Sequence, residues 1–120
     1  MLDKKQTVSH LKAVRKLLDA PKKWHKGFYI GKANGDDASK YGQARCFCIR
    51  GAVIRRDPDN TGKRYSNSPN EIRTCEPIKQ AIYQLFPSYG GCIVDFNDNW
   101  LTSHGMVIRV LDRAIEIAAN

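Results

Sequence analysis

The segment Cys46-Phe47-Cys48 sets two thiols two positions apart, in an apolar run that continues through Ile49-Arg50-Gly51-Ala52-Val53-Ile54 to a basic exit at Arg55-Arg56. A cysteine nucleophile needs its thiolate stabilised by a cation or a helix N-terminus, and a base within hydrogen-bond reach. Cys46 follows Arg45 and would open a central helix, while His25 or His104 with Asn97 or Asp98 completes a Cys-His-Asn set of the right residue types. A small hydrolase or transferase is therefore one reading. The plainer one is that Cys46, Cys48, Cys75 and Cys92 serve as small apolar filling, since cysteine is among the most buried residue types.

Metal and cofactor chemistry find less support. Cys46-x-Cys48 is not the Cys-x-x-Cys spacing of a zinc knuckle, and residues two apart on a helix point about 200° away from each other. Asp95, Asp98 and Asp112 read as turn and surface carboxylates, because Asp and Asn in a turn bond their own backbone. Lys32-Ala33-Asn34-Gly35 and Gly90-Gly91 lack the strand-to-helix context of a phosphate loop. The expectation is no metal and no cofactor.

The charge pattern suggests a different kind of function. The 120 residues carry a net charge of +8. Residues 1–64 hold 16 Lys and Arg against 6 Asp and Glu, whereas residues 65–120 hold 4 against 6. A field of that kind concentrates an anionic partner at the N-terminal half. Lys12, Lys16, Lys22, Lys23, Lys26, Arg55, Arg56, Lys63 and Arg64 are the candidate binding cations, with Trp24 as an aromatic among them. The competing reading of Trp24, beside a helix-ending proline, is that it seals an edge of the core.

The elements that must position these groups follow from periodicity. Val8, Leu11, Val14, Leu17 and Leu18 recur at helical spacing after a capping-box pattern at Asp3 to Gln6, and Pro21 stops the helix. Lys5, Lys12 and Lys16 lie within about 40° of one another, opposite that stripe. Phe28 to Ile30 reads as a short strand or ordered loop. Residues 44–56 satisfy both strand alternation and helical spacing, and the helix is preferred.

Asp57 to Asn70 reads as an exposed loop. Ser68-Pro69-Asn70-Glu71 opens a helical region that Pro77 is expected to break, before Ile78, Ile82, Leu85 and Phe86 line its main part. Tyr89-Gly90-Gly91 reverses the chain, and Cys92 to Phe96 is a strand candidate. A final helix starts at Thr102 or Ser103, with Asp112 and Glu116 placed to pair with Arg109 and Arg113. The fold class is α+β, mostly helical: about four helices around a central Cys/Gly-Ala helix, with one or two short strands, in a single domain spanning 1–120.

Four landmarks can be read together: Pro21-x-x-Trp24-x-x-Gly27, Cys46-x-Cys48-x-x-Gly51-Ala52, Phe96-Asn97-Asp98, and Leu111-Asp112-Arg113-Ala114-Ile115 in the final helix. In order and spacing they resemble a family of small bacterial and phage proteins classed as a domain of unknown function. Its members show Trp-x-x-Gly-Ala-Tyr, Cys-x-Cys-x-x-Gly-Ala-Leu, an Asn-Asp turn and a Thr-capped helix. This chain has Gly27-Phe28-Tyr29 for Gly-Ala-Tyr, Val53 for leucine, and Leu101 where the family has an arginine before the threonine. The resemblance implies an architecture and a bacterial or phage origin, and no reaction.

Met1-Leu2-Asp3-Lys4-Lys5 leads directly into the first amphipathic pattern, so a reduced, cytoplasmic protein without a signal peptide is expected. No apolar run approaches the roughly 18 residues that span a bilayer, so no membrane partner is expected. The functional expectation is a small, basic, non-enzymatic module that binds nucleic acid or an acidic protein surface. The alternatives are a phage-type inhibitor of a host nuclease or defence complex, and the cysteine enzyme centred on Cys46.

Overall fold

The computed structural model describes residues 4–27, 30–32, 45–59 and 68–120. Five α-helices and one two-stranded antiparallel sheet make up the described structure: α1 Lys4–Leu17, β1 Ile30–Gly31, β2 Cys46–Phe47, α2 Ile49–Arg55, α3 Pro69–Leu85, α4 Ile93–Asp98 and α5 His104–Ala119. Single 3-10 turns occupy Pro21–Lys23 and Pro87–Tyr89. The fold is α+β and mostly helical. The capping pattern at Asp3 lies outside the described residues, as do Phe28, Tyr29, Asn34 and Gly35.

Helix α5 supplies the platform on which α1 and α3 pack. Its buried residues Val107, Val110, Leu111 and Ala114 fall on one stripe at helical spacing. Ser103 caps it, its Oγ accepting from the Met106 amide at 3.2 Å. Thr102 is used differently: it is buried, and its hydroxyl donates to the Phe96 carbonyl at 2.7 Å, tying α4 to the start of α5. Of the expected α5 ion pairs, Arg113 reaches Glu116 at 3.8 Å, but Asp112 pairs with Arg15 of α1 at 2.9 Å, and Arg109 lies over the Phe86 ring.

The buried face of α1 differs from the expected stripe in its polar members. Leu11, Val14 and Leu18 are fully buried, whereas Val8 and Leu17 are half-buried and Thr7 and His10 take interior positions. His10 is accommodated because both ring nitrogens are satisfied. Nε2 donates to the Val53 carbonyl and Nδ1 accepts from the Thr74 hydroxyl, each at 2.9 Å.

Within the segment 44–56, the described residues 45–56 resolve the ambiguity by being both strand and helix. Cys46 and Phe47 pair with Gly31 and Ile30. Cys48 then caps α2, its Sγ accepting from the Gly51 amide at 3.2 Å. The continuous helix expected over 44–56 is thus corrected: Cys46 and Phe47 gain ladder partners in β1, and helix begins only at Ile49. Gly51, Ala52, Val53 and Ile54 are buried, and α2 contacts α1, α3 and α4 from the middle of the molecule.

Three further expectations are corrected. Pro77 lies inside an unbroken α3, since the cost of about 3 kcal/mol for an interior proline is offset by burying Cys75, Ile78, Ala81 and Ile82 on the same helix. The strand expected over 92–96 is instead the start of α4, with Cys92 as its N-cap and Ile93, Phe96 and Asn97 buried at i, i+3 and i+4 while Val94 and Asp95 face solvent. Phe96 is held there by Phe86, stacked at 5.6 Å, and by Tyr89, edge-on at 5.3 Å. Gly90 and Gly91, both at positive φ, allow the tight reversal that brings α4 back onto α3.

The ends of the expected exposed loop are also buried. Asp57 accepts hydrogen bonds from the Ser68 hydroxyl, the Asn70 side chain and the Asp59 amide, so the chain leaving α2 is tied to the start of α3. Residues 60–67, including Lys63 and Arg64, lie outside the described residues.

Candidate functional site

Asn97 in α4 joins three distant pieces of chain. Its Oδ1 accepts from the Trp24 indole at 2.7 Å and from the Ile49 amide at 3.0 Å, while its Nδ2 donates to the His25 carbonyl at 3.1 Å and to Asp98 Oδ1 at 2.9 Å. Two acceptor and two donor positions are thereby filled, which is the full capacity of a carboxamide. Asp98 also accepts from the amide of Gly27, whose φ of 95° suits glycine. The tryptophan, the glycine three residues after it, the start of α2 and the Asn-Asp pair are therefore one hydrogen-bonded unit.

The chain belongs to DUF6197, a family of unknown function, whose model matches residues 3–117. No curated protein and no solved structure matches it. In this member of DUF6197 the Trp24, Gly27, Asn97 and Asp98 side chains and backbone tie distant segments together, and Trp24 packs half-buried against the core.

The candidate catalytic residues are dispersed among backbone contacts. Cys46 Sγ donates to the Lys32 carbonyl at 3.5 Å, and burial pushes its thiol pKa up. His25 Nδ1 donates to the Lys26 carbonyl at 3.1 Å, and His104 Nε2 to the Leu18 carbonyl at 2.6 Å. Cys46, His25 and His104 thus engage three different carbonyls, and Asn97 braces the His25 backbone rather than its ring. Burial raises Cys48 and Cys75 to about 11, suppressing the thiolate that nucleophilic or metal chemistry requires. Among the described residues, no three His, Cys, Asp or Glu side chains come together as a metal site.

The candidate binding cations divide into two groups. Lys12, Lys16, Lys22, Arg55 and Arg56 are exposed. Lys23 pairs with Asp19 at 3.0 Å, and Lys26 donates to the Asn99 carbonyl at 2.7 Å while lying 5.5 Å from the centre of the Trp24 ring. The second pair serves the fold as well as the surface. Lys5, Lys12 and Lys16 all face solvent along α1. On a neighbouring face of α1, Gln6, Ser9 and Ala13 look across a cleft of about 300 Å³ to Arg56 and Pro58.

Sequence reasoning passed over a second concavity. Arg50, Glu71, Cys75, Lys79, Cys92 and Val94 line a groove of about 300 Å³ between α3 and α4. Glu71 is 1% exposed and ion-paired with Arg50. A smaller cleft of about 60 Å³, with Cys48, Asn97 and Asp98 on its walls, adjoins the groove through Arg50 and Val94. The local signal at Glu71 was its place three residues after the capping Ser68, where a glutamate reads as cap chemistry. Only the approach of α2 to α3 turns it into a buried partner for Arg50.

Proposed function

We propose that this protein is a small cytoplasmic binding module of bacterial or phage origin that engages the phosphate backbone of nucleic acid through α1 and the end of α2. The observation that carries this reading is the solvent-facing ribbon of Lys5, Lys12 and Lys16, flanked by Arg56 across the α1 cleft. Ammonium groups on one exposed helical face neutralise phosphates and release counterions without reading base identity. Trp24 is half-buried against the core with its indole N–H given to Asn97, which favours contact by charge over stacking.

Fluorescence anisotropy with a labelled duplex and a labelled single strand tests this. With three contacted phosphates, duplex affinity falls about 40-fold between about 50 and 200 mM salt. Lys12→Glu with Lys16→Glu abolishes binding at an unchanged Tm. Binding that is indifferent to salt or to these reversals refutes the proposal, and capture of an acidic protein instead of either nucleic acid assigns the same face to a protein partner.

One observation favours the phage-type inhibitor as a second reading. Trp100 is 83% exposed and Leu101 is also exposed, at the turn between α4 and α5 whose Asn99 carbonyl binds Lys26. An apolar pair beside a cation is suited to a protein surface. A pull-down from host lysate, with and without nuclease treatment, separates this reading from the first: nuclease-resistant capture of a host complex that is lost in Trp100→Ala supports it.

A further inference from the structure

We infer that Trp100 is a stacking platform for an unpaired base, which gives the protein a preference for single-stranded nucleic acid over duplex. It rests on the nucleic-acid reading of the lysine face, not on the inhibitor reading, which assigns the same side chain to a protein contact. Trp100 is 83% exposed, whereas Trp24 is half-buried against the core and bonded to Asn97. Of the two tryptophans, Trp100 is the one whose ring faces are open to a ligand.

The turn that presents the indole is braced on both sides and lies at the basic end of the molecule. Asn99 Oδ1 accepts from the Leu101 amide at 2.9 Å and the Asn99 carbonyl from the Thr102 amide at 3.0 Å, so the backbone around Trp100 has little freedom left to lose on contact. The same carbonyl takes Lys26 Nζ at 2.7 Å, a neutral partner that leaves the ammonium charge uncancelled. Just beyond the turn, His104 bonds the Leu18 carbonyl at 2.6 Å and lies 6.3 Å from the Trp24 ring. These contacts join the turn to the end of α1, where Lys16 is exposed, and to the segment that carries exposed Lys22. Cations for the phosphates beside an open aromatic face are what a single strand requires, and stacking on such a face is worth about tenfold in affinity per base whatever the base. A duplex keeps its bases paired and gains nothing from it.

Anisotropy of the full chain with a labelled oligothymidylate of about 12 nucleotides, and with a duplex of the same length, tests this. The wild type should bind the single strand more tightly than the duplex. Trp100→Ala should weaken the single strand about tenfold while leaving duplex affinity, Tm and the salt dependence unchanged, because no phosphate contact is removed. Trp100→Tyr should keep most of the affinity and Trp100→Leu should behave as Trp100→Ala, since stacking needs an aromatic face. Tryptophan emission should be quenched on saturation in the wild type and not in Trp100→Tyr, where half-buried Trp24 is the remaining indole.

Single-strand affinity that is unchanged in Trp100→Ala, or that survives in Trp100→Leu as well as in Trp100→Tyr, overturns the inference and leaves the lysine face standing. So does an equal loss with duplex, which would give the indole a contact other than an unpaired base. A wild type that binds neither oligonucleotide overturns this inference and the nucleic-acid reading together.

Discussion

The Trp24 indole and the Asn97 carboxamide, 73 positions apart in sequence, meet in a 2.7 Å hydrogen bond. The same carboxamide oxygen accepts from the first amide of α2. The N-terminal segment, the central helix and α4 are thus fastened at one side chain, which gives the Asn-Asp pair a structural role in this member of DUF6197.

Asn97→Ala should therefore destabilise the fold by about 3 kcal/mol, because Trp24 Nε1 and the Ile49 amide lose a common acceptor inside the protein. Asn97→Asp keeps that acceptor, but loses the donor to the His25 carbonyl and places a second negative charge beside Asp98. Its cost should be smaller, about 2 kcal/mol. Urea unfolding monitored by tryptophan fluorescence measures both, and wild-type stability in Asn97→Ala would contradict the joining role of this residue.

The Arg50–Glu71 pair makes a different prediction. Arg50→Met leaves the Glu71 carboxylate buried without its counter-charge, at a cost of about 3 kcal/mol, whereas Arg50→Met with Glu71→Leu should recover most of that loss. A double-mutant cycle in denaturant gives the coupling. Additive losses from the two substitutions would mean that the pair does not act as a unit.

His10 sets a pH dependence near neutrality. Burial lowers its pKa below 6.5, outweighing the opposing effects of the Val53 carbonyl and the charges of Asp57 and Glu71. The unfolded chain then binds a proton at about pH 6.5 that the folded chain still refuses, so stability is full above that pH and declines as pH falls toward the folded pKa. Stability measured by denaturation at pH 8, 6.5 and 5 should show this decline, and His10→Gln should flatten it at a lower overall stability.

Asp57 contributes in a lower window. Burial acts to raise its pKa, but hydrogen bonds from Ser68, Asn70 and the Asp59 amide outweigh this and hold it below 3.8. Its contribution is present above about pH 3.8 and is lost as pH falls through the folded value. Asn70→Ala should shift the acid-unfolding midpoint upward, as read by circular dichroism.

Thiol accessibility gives the fifth prediction. Cys92 is exposed while Cys46, Cys48 and Cys75 are buried, and at a pKa of about 11 only about one Cys48 or Cys75 thiol in 10⁴ is ionised at pH 7. Intact-mass analysis after brief treatment with iodoacetamide should show a single addition, at Cys92. Rapid modification of Cys46 would restore the cysteine-enzyme reading.

Where the sequence could be read, the decisive interactions were local. The Ser68 cap, the α5 stripe and the stop at Pro21 depend on residues within a turn or two of each other, and each appears as expected. The strand reading of 92–96 failed because Phe96 is held by Phe86 and Tyr89 and Asn97 by Trp24, contacts that outweigh the strand preference of Ile93 and Val94. The break at Pro77 failed for the same kind of reason, since packing on α1 and α5 sustains α3 through it.

From the amino-acid order alone came the helix-rich α+β class, the concentration of charge in the first half and the exposed lysine ribbon of α1, because composition and period-3.6 spacing are properties of the chain itself. Tertiary structure decided that Trp24 faces Asn97, that His10 is buried as a neutral imidazole, and that Arg50 and Glu71 meet at the side of a groove. Each of these needed the closure of long loops, and partner choice among distant polar groups is set by which surfaces the packed helices bring together.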